Sequence, residues 1–305
     1  ETELAWSGRG TCCVARLRAV ATAHTKQGGV RSAGAYALTG GLGGLGLRAA
    51  TMLVERGASR VLLASRGGRV ARDGQGLEAQ LRSLGTRAVL VASDGADAAD
   101  AGALLTSALP LVGVLHAAGT GDKGLLNELV VGRVAWMYGP KAIGAWHLHC
   151  ATATAPLGVR LLFSSVGSGL GNVGQANYAA ANAYLDALAA SRRRRGTLGS
   201  SLQIPAVSGA GMGAETFTTV QLEGMGAISL DEFAAWLAHV ASPAVVERTQ
   251  ALLAPALIDL LSSTLTETQD ALALTCEEES LLIQQQSSLP RSTGELVRLS
   301  LAQRV

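Results

Sequence analysis

The run Ala35-Tyr36-Ala37-Leu38-Thr39-Gly40-Gly41-Leu42-Gly43-Gly44-Leu45-Gly46 constrains the fold more than any other part of this 305-residue chain. A short apolar segment of strand character passes directly into a glycine-rich turn and then into a helical pattern over Gly44–Arg56. Glycine lets a backbone turn tightly and come close to a diphosphate, whose charge meets the unpaired N–H groups of a helix N-terminus. A turn of this kind needs a parallel sheet around it, and the chain supplies the strands. Nearly continuous apolar runs recur at Arg60–Ser65, Arg87–Ala92, Leu111–His116, Val159–Ser164, Ser201–Ile204 and Gln250–Ala254. Helix-compatible stretches lie between them at Gly76–Leu84, Asp97–Ala108, Lys141–Ala151, Ala176–Arg195 and Asp231–Val240. Alternation repeated this often predicts an α/β fold, a doubly wound, Rossmann-like parallel sheet of about seven strands with helices on both faces.

Composition narrows the partners. Apolar residues make up 48% of the chain and charged ones 16%, which fits a packed core and excludes wholesale disorder. A formal net charge of +2 is too small for nucleic acid or an anionic membrane to be the main partner. The basic run Arg192-Arg193-Arg194-Arg195 ends a helical pattern, where it complements the negative end of the helix dipole. No apolar run approaches a membrane span. The cysteines Cys12, Cys13, Cys150 and Cys276 show neither metal-ligand spacing nor a disulfide framework, so no metal is expected and a reducing, cytoplasmic setting is the default. The start Glu1-Thr2-Glu3 carries no signal peptide and no initiator Met, so the chain reads as part of something longer.

Within that frame, residues 35–257 form the expected α/β domain that carries the nucleotide turn. Residues 1–34 are mixed and glycine-rich, and residues 258–293 carry Thr, Glu, Gln and Ser runs of linker character. Helical spacing returns through Leu296, Leu299 and Leu301, so residues 294–305 read either as the opening helical turns of another domain or as a frayed tail.

The candidate nucleotide-binding residues in the turn are Thr39, Gly40, Leu42, Gly43, Gly44, Leu45 and Gly46. After the second strand of the domain comes Ser65-Arg66 where an acid would favour a free ribose 2′-hydroxyl. A guanidinium can pair bidentately with a 2′-phosphate, so Arg66 argues for NADPH against the plainer reading of a solvated loop arginine. Asp94 follows the third strand; it either accepts from an adenine amine or simply caps its loop. Ala117, Ala118 and Gly119 close the fourth strand with side chains small enough for a cofactor to lie against them. His116 beside them reads as structural, because nothing near it in sequence forms a proton relay.

The densest stretch is Phe163-Ser164-Ser165-Val166-Gly167, followed by Gly174-Gln175-Ala176-Asn177-Tyr178-Ala179-Ala180-Ala181-Asn182. Tyr178 and Asn182 are four apart on a helical pattern and share a face. Ser165 ends a strand, where an open sheet places its ligand crevice. With the glycine-rich turn, these motifs resemble a short-chain dehydrogenase/reductase, and specifically the ketoreductase domain of type I polyketide synthases. The ordinary superfamily has Lys four residues after the Tyr; here Asn182 holds that place and Lys141 stands upstream in Gly139-Pro140-Lys141, the exchange that polyketide and animal-type fatty-acid synthase ketoreductases show. The resemblance covers about residues 35–195.

That resemblance implies Tyr178 as proton donor, Ser165 as a hydrogen-bond donor to the same oxygen, Lys141 as the ammonium that lowers the Tyr pKa, and Asn182 as the group that positions it. It implies NADPH, a β-ketoacyl substrate on an acyl-carrier domain, and neighbouring megasynthase domains as partners. By the same resemblance, residues 1–34 match the tail of a preceding structural subdomain and residues 294–305 the first helix of a carrier domain. Gly121-Asp122-Lys123 replaces the usual Leu-Asp-Asp, and Leu170 stands where the other stereochemical class has Trp. Ile204-Pro205-Ala206-Val207 and the following Ser208–Met212 lack the aromatics that normally lead into the substrate lid. A fatty-acid synthase ketoreductase and a catalytically silent scaffold domain are the competing readings.

Overall fold

The structure, a computed structural model, describes residues 4–6, 12–14, 16–19, 34–71, 75–107, 110–171, 173–241, 249–253 and 295–300. The chain opens with three short strands, β1 (Leu4–Trp6), β2 (Cys12–Val14) and β3 (Arg16–Ala19). The main α/β body begins with β4 (Ala35–Thr39), α1 (Gly44–Glu55), β5 (Arg60–Ser65), α2 (Leu77–Leu84), β6 (Ala88–Ala92), α3 (Ala98–Thr106) and β7 (Leu111–His116). It continues with α4 (Val131–Tyr138), α5 (Gly144–Ala151), β8 (Val159–Ser165), α6 (Gly167–Leu170), α7 (Ala176–Arg194) and β9 (Ser200–Ile204). Two short helices, α8 (Met212–Thr216) and α9 (Thr219–Gly224), precede α10 (Leu230–Val240), β10 (Thr249–Leu253) and β11 (Glu295–Ser300).

The main sheet has the order β3-β11-β10-β9-β8-β7-β4-β5-β6. Every pairing from β6 across to β10 is parallel. Strand β4 lies between β5 and β7, so the chain order reverses there, and the crevice beyond the C-terminal ends of these strands is where such a sheet binds ligands. Residues Tyr36, Ala37 and Leu38 of β4 are fully buried, as the unbroken apolar run requires of a strand covered on both faces. Helix α1 packs Leu47, Ala50, Met52 and Leu53 on one side of the sheet, joined by Phe233 and Leu237 of α10.

The seven expected strands form the parallel part of the sheet, and among the described residues two strands from the flanks extend it to nine. Strand β11 pairs antiparallel with β10 and β3 pairs antiparallel with β11. The helix expected over 294–305 is therefore corrected: Glu295–Ser300 is a strand. The leucine spacing fits a helix, but Val297 and Leu299 also alternate, and sheet pairing decides between two periods that a six-residue segment satisfies equally. The linker expected at 258–293 lies outside the described residues.

A second difference concerns Lys141. The expected helix Lys141–Ala151 starts earlier, since α4 runs through a π-helical turn at Gly139–Ile143 into α5. Pro140 has no N–H to donate and clashes with the preceding turn of an α-helix. A π turn lengthens the ladder locally and accommodates it, leaving Lys141 within the widened turn.

Candidate active site

Thr39, Ser65, His116 and Ser165 all end parallel strands on the same side of the sheet. The turn after Thr39 is shaped by crowding. Gly40 has φ +66, and a Cβ there would sit 2.6 Å from the Ala117 backbone; a Cβ on Gly46 would sit 2.3 Å from the Gly40 carbonyl oxygen. Gly46 thus serves close helix–strand packing. Gly43 caps α1 without a side-chain bond, and the first turn holds no acid, so an anion meets free N–H groups. The turn fits a diphosphate on these grounds. The Leu42 side chain is fully buried in the core, so only its backbone borders the site, while Leu45 is half-buried and packs against that core.

Along the rest of this wall, Arg66 is exposed and has no bonded partner among the described residues. The Ser65 hydroxyl donates to the Arg69 carbonyl at 3.2 Å, which folds a second arginine back over the same loop. Asp94 accepts from the Ala96 N–H at 3.0 Å, the loop-capping arrangement. Ala117 donates its N–H to the Thr39 carbonyl at 2.9 Å. Gly119 leaves room for Lys141, whose Cε would lie 2.8 Å from a Cβ at that position.

The opposite wall gathers Lys141, Ser165, Tyr178 and Asn182. Lys141 is buried, and its Nζ donates to Asn182 Oδ1 at 2.8 Å and to the Phe163 carbonyl at 3.3 Å. The ammonium stands 5.3 Å from the centre of the Tyr178 ring. Asn182 donates Nδ2–H to the Tyr178 carbonyl at 2.8 Å, one helical turn back. Burial lowers the Lys141 amine to about 8, with Asp186 pulling the other way. Burial also pushes the Tyr178 phenol up, against hydrogen bonds with Ser165 and Asn182. The sequence reading has Lys141 lowering that phenol; in the chain by itself, burial dominates instead. A phenol with a hydroxyl close enough to act on it, beside a buried ammonium, can deliver a proton to one oxygen atom while holding it in place.

Three networks around this quartet escape sequence reasoning. His116 reaches Thr39 on one wall and Lys141 on the other. Asp122 is held by Arg133 at 2.6 and 3.1 Å and accepts from Asn177 Nδ2 at 2.7 Å, tying the loop after β7 to the start of α7. Ser168, Asp186 and Gln203 form a cluster behind Ser165, with Ser168 Oγ 2.7 Å from Asp186 Oδ2. The only signal for the last is that Tyr178, Asn182 and Asp186 recur every four residues on α7. The segment after β9, where the expected aromatics are missing, still reaches the approach to α2: Gln75 brackets Gly211, accepting from its N–H at 2.9 Å and donating to its carbonyl at 3.4 Å.

Comparison with known proteins agrees with this geometry. The family model described as "KR domain" matches residues 34–209. The spectinabilin polyketide synthase system protein NorB of Streptomyces orinoci is 46% identical over 174 residues, 55% of this chain and 8% of that protein. The mycoketide-CoA synthase of Mycobacterium tuberculosis is 33% identical over 321 aligned positions, 95% of this chain and again 8% of that protein. The chain thus spans a small part of the curated relatives it matches. Among solved structures, an A1-type ketoreductase superposes with a TM-score of 0.72 at 30% identity, covering 86% of this chain and 60% of that one. The first ketoreductase of the tylosin polyketide synthase superposes with a TM-score of 0.67, also at 30% identity, over 83% of this chain and 55% of that one. On these matches, this chain belongs to the ketoreductase domain family of type I polyketide synthases, within the short-chain dehydrogenase/reductase superfamily.

Proposed function

We propose that the chain reduces a β-ketoacyl thioester, carried by an acyl-carrier domain, to the β-hydroxyacyl thioester with NADPH. The observation that carries the reading is the 2.8 Å bond from the buried Lys141 ammonium to Asn182, with the same ammonium 5.3 Å from the centre of the Tyr178 ring. Thr39, Gly40, Gly43, Gly44 and Gly46 would hold the diphosphate, and Arg66 the 2′-phosphate. When bound, the reduced nicotinamide supplies hydride to the β-carbon. Ser165 orients the ketone oxygen, and Tyr178 donates its proton to it as the C=O π bond opens. The alkoxide becomes a hydroxyl, and the phenolate left behind is stabilised by Lys141 and reprotonated from that side. Asn182 keeps the ammonium in place.

Gly124 donates its N–H to the Gly174 carbonyl at 2.8 Å, which brings the loop after β7 to the approach of Tyr178. Leu125, Leu126 and Val173 are exposed beside that junction, and their apolar surface suits an acyl chain. The missing aromatics after β9 favour one second reading, a silent scaffold domain. The purified chain, given NADPH and a β-ketoacyl thioester surrogate, should oxidise NADPH and yield the β-hydroxy product in equal amounts. Dinucleotide binding without turnover would establish the silent reading instead.

A further inference from the structure

His116 is fully buried at the end of β7, and the chemistry above gives it no task. Its ring spans two segments that the site needs in register. Nε2 lies 2.9 Å from the Lys141 carbonyl oxygen, and Nδ1 lies 2.6 Å from Thr39 Oγ1. A carbonyl only accepts, so Nε2 carries the proton, which leaves Nδ1 with a lone pair and makes the Thr39 hydroxyl the donor. The tautomer is thereby dictated by the partners. Burial and the nearby Lys141 charge lower the imidazole to about 4, so the ring stays neutral at working pH.

The two partners sit at sensitive places. Thr39 opens the glycine-rich turn, and Lys141 sits in the π turn, whose backbone lacks regular α-helical support. Gly144, which follows that turn, packs on the ring edge so closely that a Cβ there would lie 3.1 Å from His116 Cε1. The imidazole therefore fills the space between the nucleotide turn and the Lys141 turn and bonds to both. We infer that His116 is a positioning residue: a strut that sets the Lys141-bearing turn against Thr39 and so aims the ammonium at the Tyr178 side of the crevice.

The inference rests on the reductase reading for its effect on turnover, and the test separates the two. His116→Phe keeps the ring volume and removes both bonds, whereas a Gln side chain can donate to the Lys141 carbonyl and accept from Thr39. His116→Phe should lower kcat by about 10²-fold, the scale of a small misplacement, with KM for NADPH within about 3-fold, and His116→Gln should recover most of the loss. Independently of turnover, nitrogen NMR of the unmutated chain should show Nε2 protonated and Nδ1 bare. The Lys141 amine should also react faster with an acylating reagent in His116→Phe. If the wild-type chain does not turn over, the reductase reading fails, and the nitrogen shifts and labelling rates alone decide the strut. An Nδ1-protonated ring, or equal Lys141 labelling in wild type and the Gln and Phe variants, would overturn it. So would a Phe variant with unchanged kcat. Should His116→Phe not fold, His116→Ala takes its place: a Gln variant no better in kcat than His116→Ala also overturns the proposal.

Discussion

The two walls of the crevice are made of different materials. On the nucleotide side, the turn from Thr39 to Gly46 and the strand ends at Ser65 and Ala117 present backbone, small side chains and the exposed Arg66. On the other side, Lys141, Ser165, Tyr178 and Asn182 come from the π turn, β8 and α7, and burial shifts both the amine and the phenol. A backbone site binds charge with groups that every residue carries, so what it cannot tolerate is an added Cβ. A side-chain site depends on particular functional groups held in a dry setting, so deleting one atom is enough to disable it. Substitutions should therefore divide cleanly, binding on one wall and turnover on the other.

The sharpest division is expected from Tyr178→Phe, which removes the proposed proton donor and nothing else. Its kcat should fall about 10³-fold, in the range of general-acid effects, with the NADPH Kd unchanged by fluorescence titration. A matching loss of binding would mean that the walls are not separable. Next comes acid. The unfolded chain protonates His116 near 6.5 and the folded chain near 4, so between these values the unfolded state binds more protons and stability drops as pH falls. The loss should reach roughly 3 kcal/mol below pH 4, and Tm measured over that window should fall less in His116→Gln.

Smaller effects fall on the nucleotide wall. Gly40→Ala places a Cβ 2.6 Å from the Ala117 backbone at φ +66. It should cost about 2 kcal/mol of stability by denaturant titration and weaken dinucleotide binding, while NADPH at saturation restores most of kcat. Arg66→Ala should be the mildest. It is expected to raise KM for NADPH about 10-fold, the worth of one charge-assisted hydrogen bond, and to leave NADH within about 2-fold. Equal effects on both cofactors would remove the phosphate assignment and leave Arg66 a solvated loop residue.

Much of this was legible beforehand because the signals are local. Each parallel strand is an apolar run short enough to see in one window, and the Thr39–Gly46 turn identifies itself by its glycines between a strand and a helix. Tyr178 and Asn182 share a face by helical spacing alone. What the turn motif leaves open is which way its side chains point: Leu42 faces the core and Leu45 packs against it, because apolar side chains beside a forming core turn inward. The strand at Glu295–Ser300 was read as helix because so short a segment satisfies both periods.

By itself the amino-acid order determined the alternating α/β body, the nucleotide turn and the phase of the α7 residues, since these depend on neighbours within a few turns of chain. Only the tertiary structure decided that β11 and β3 widen the sheet, that Pro140 opens a π turn around Lys141, and that His116 meets Thr39 across 77 positions. Such contacts are set by strand register and by how closely packed elements approach. Both are properties of the assembled core, and no stretch of sequence carries them alone.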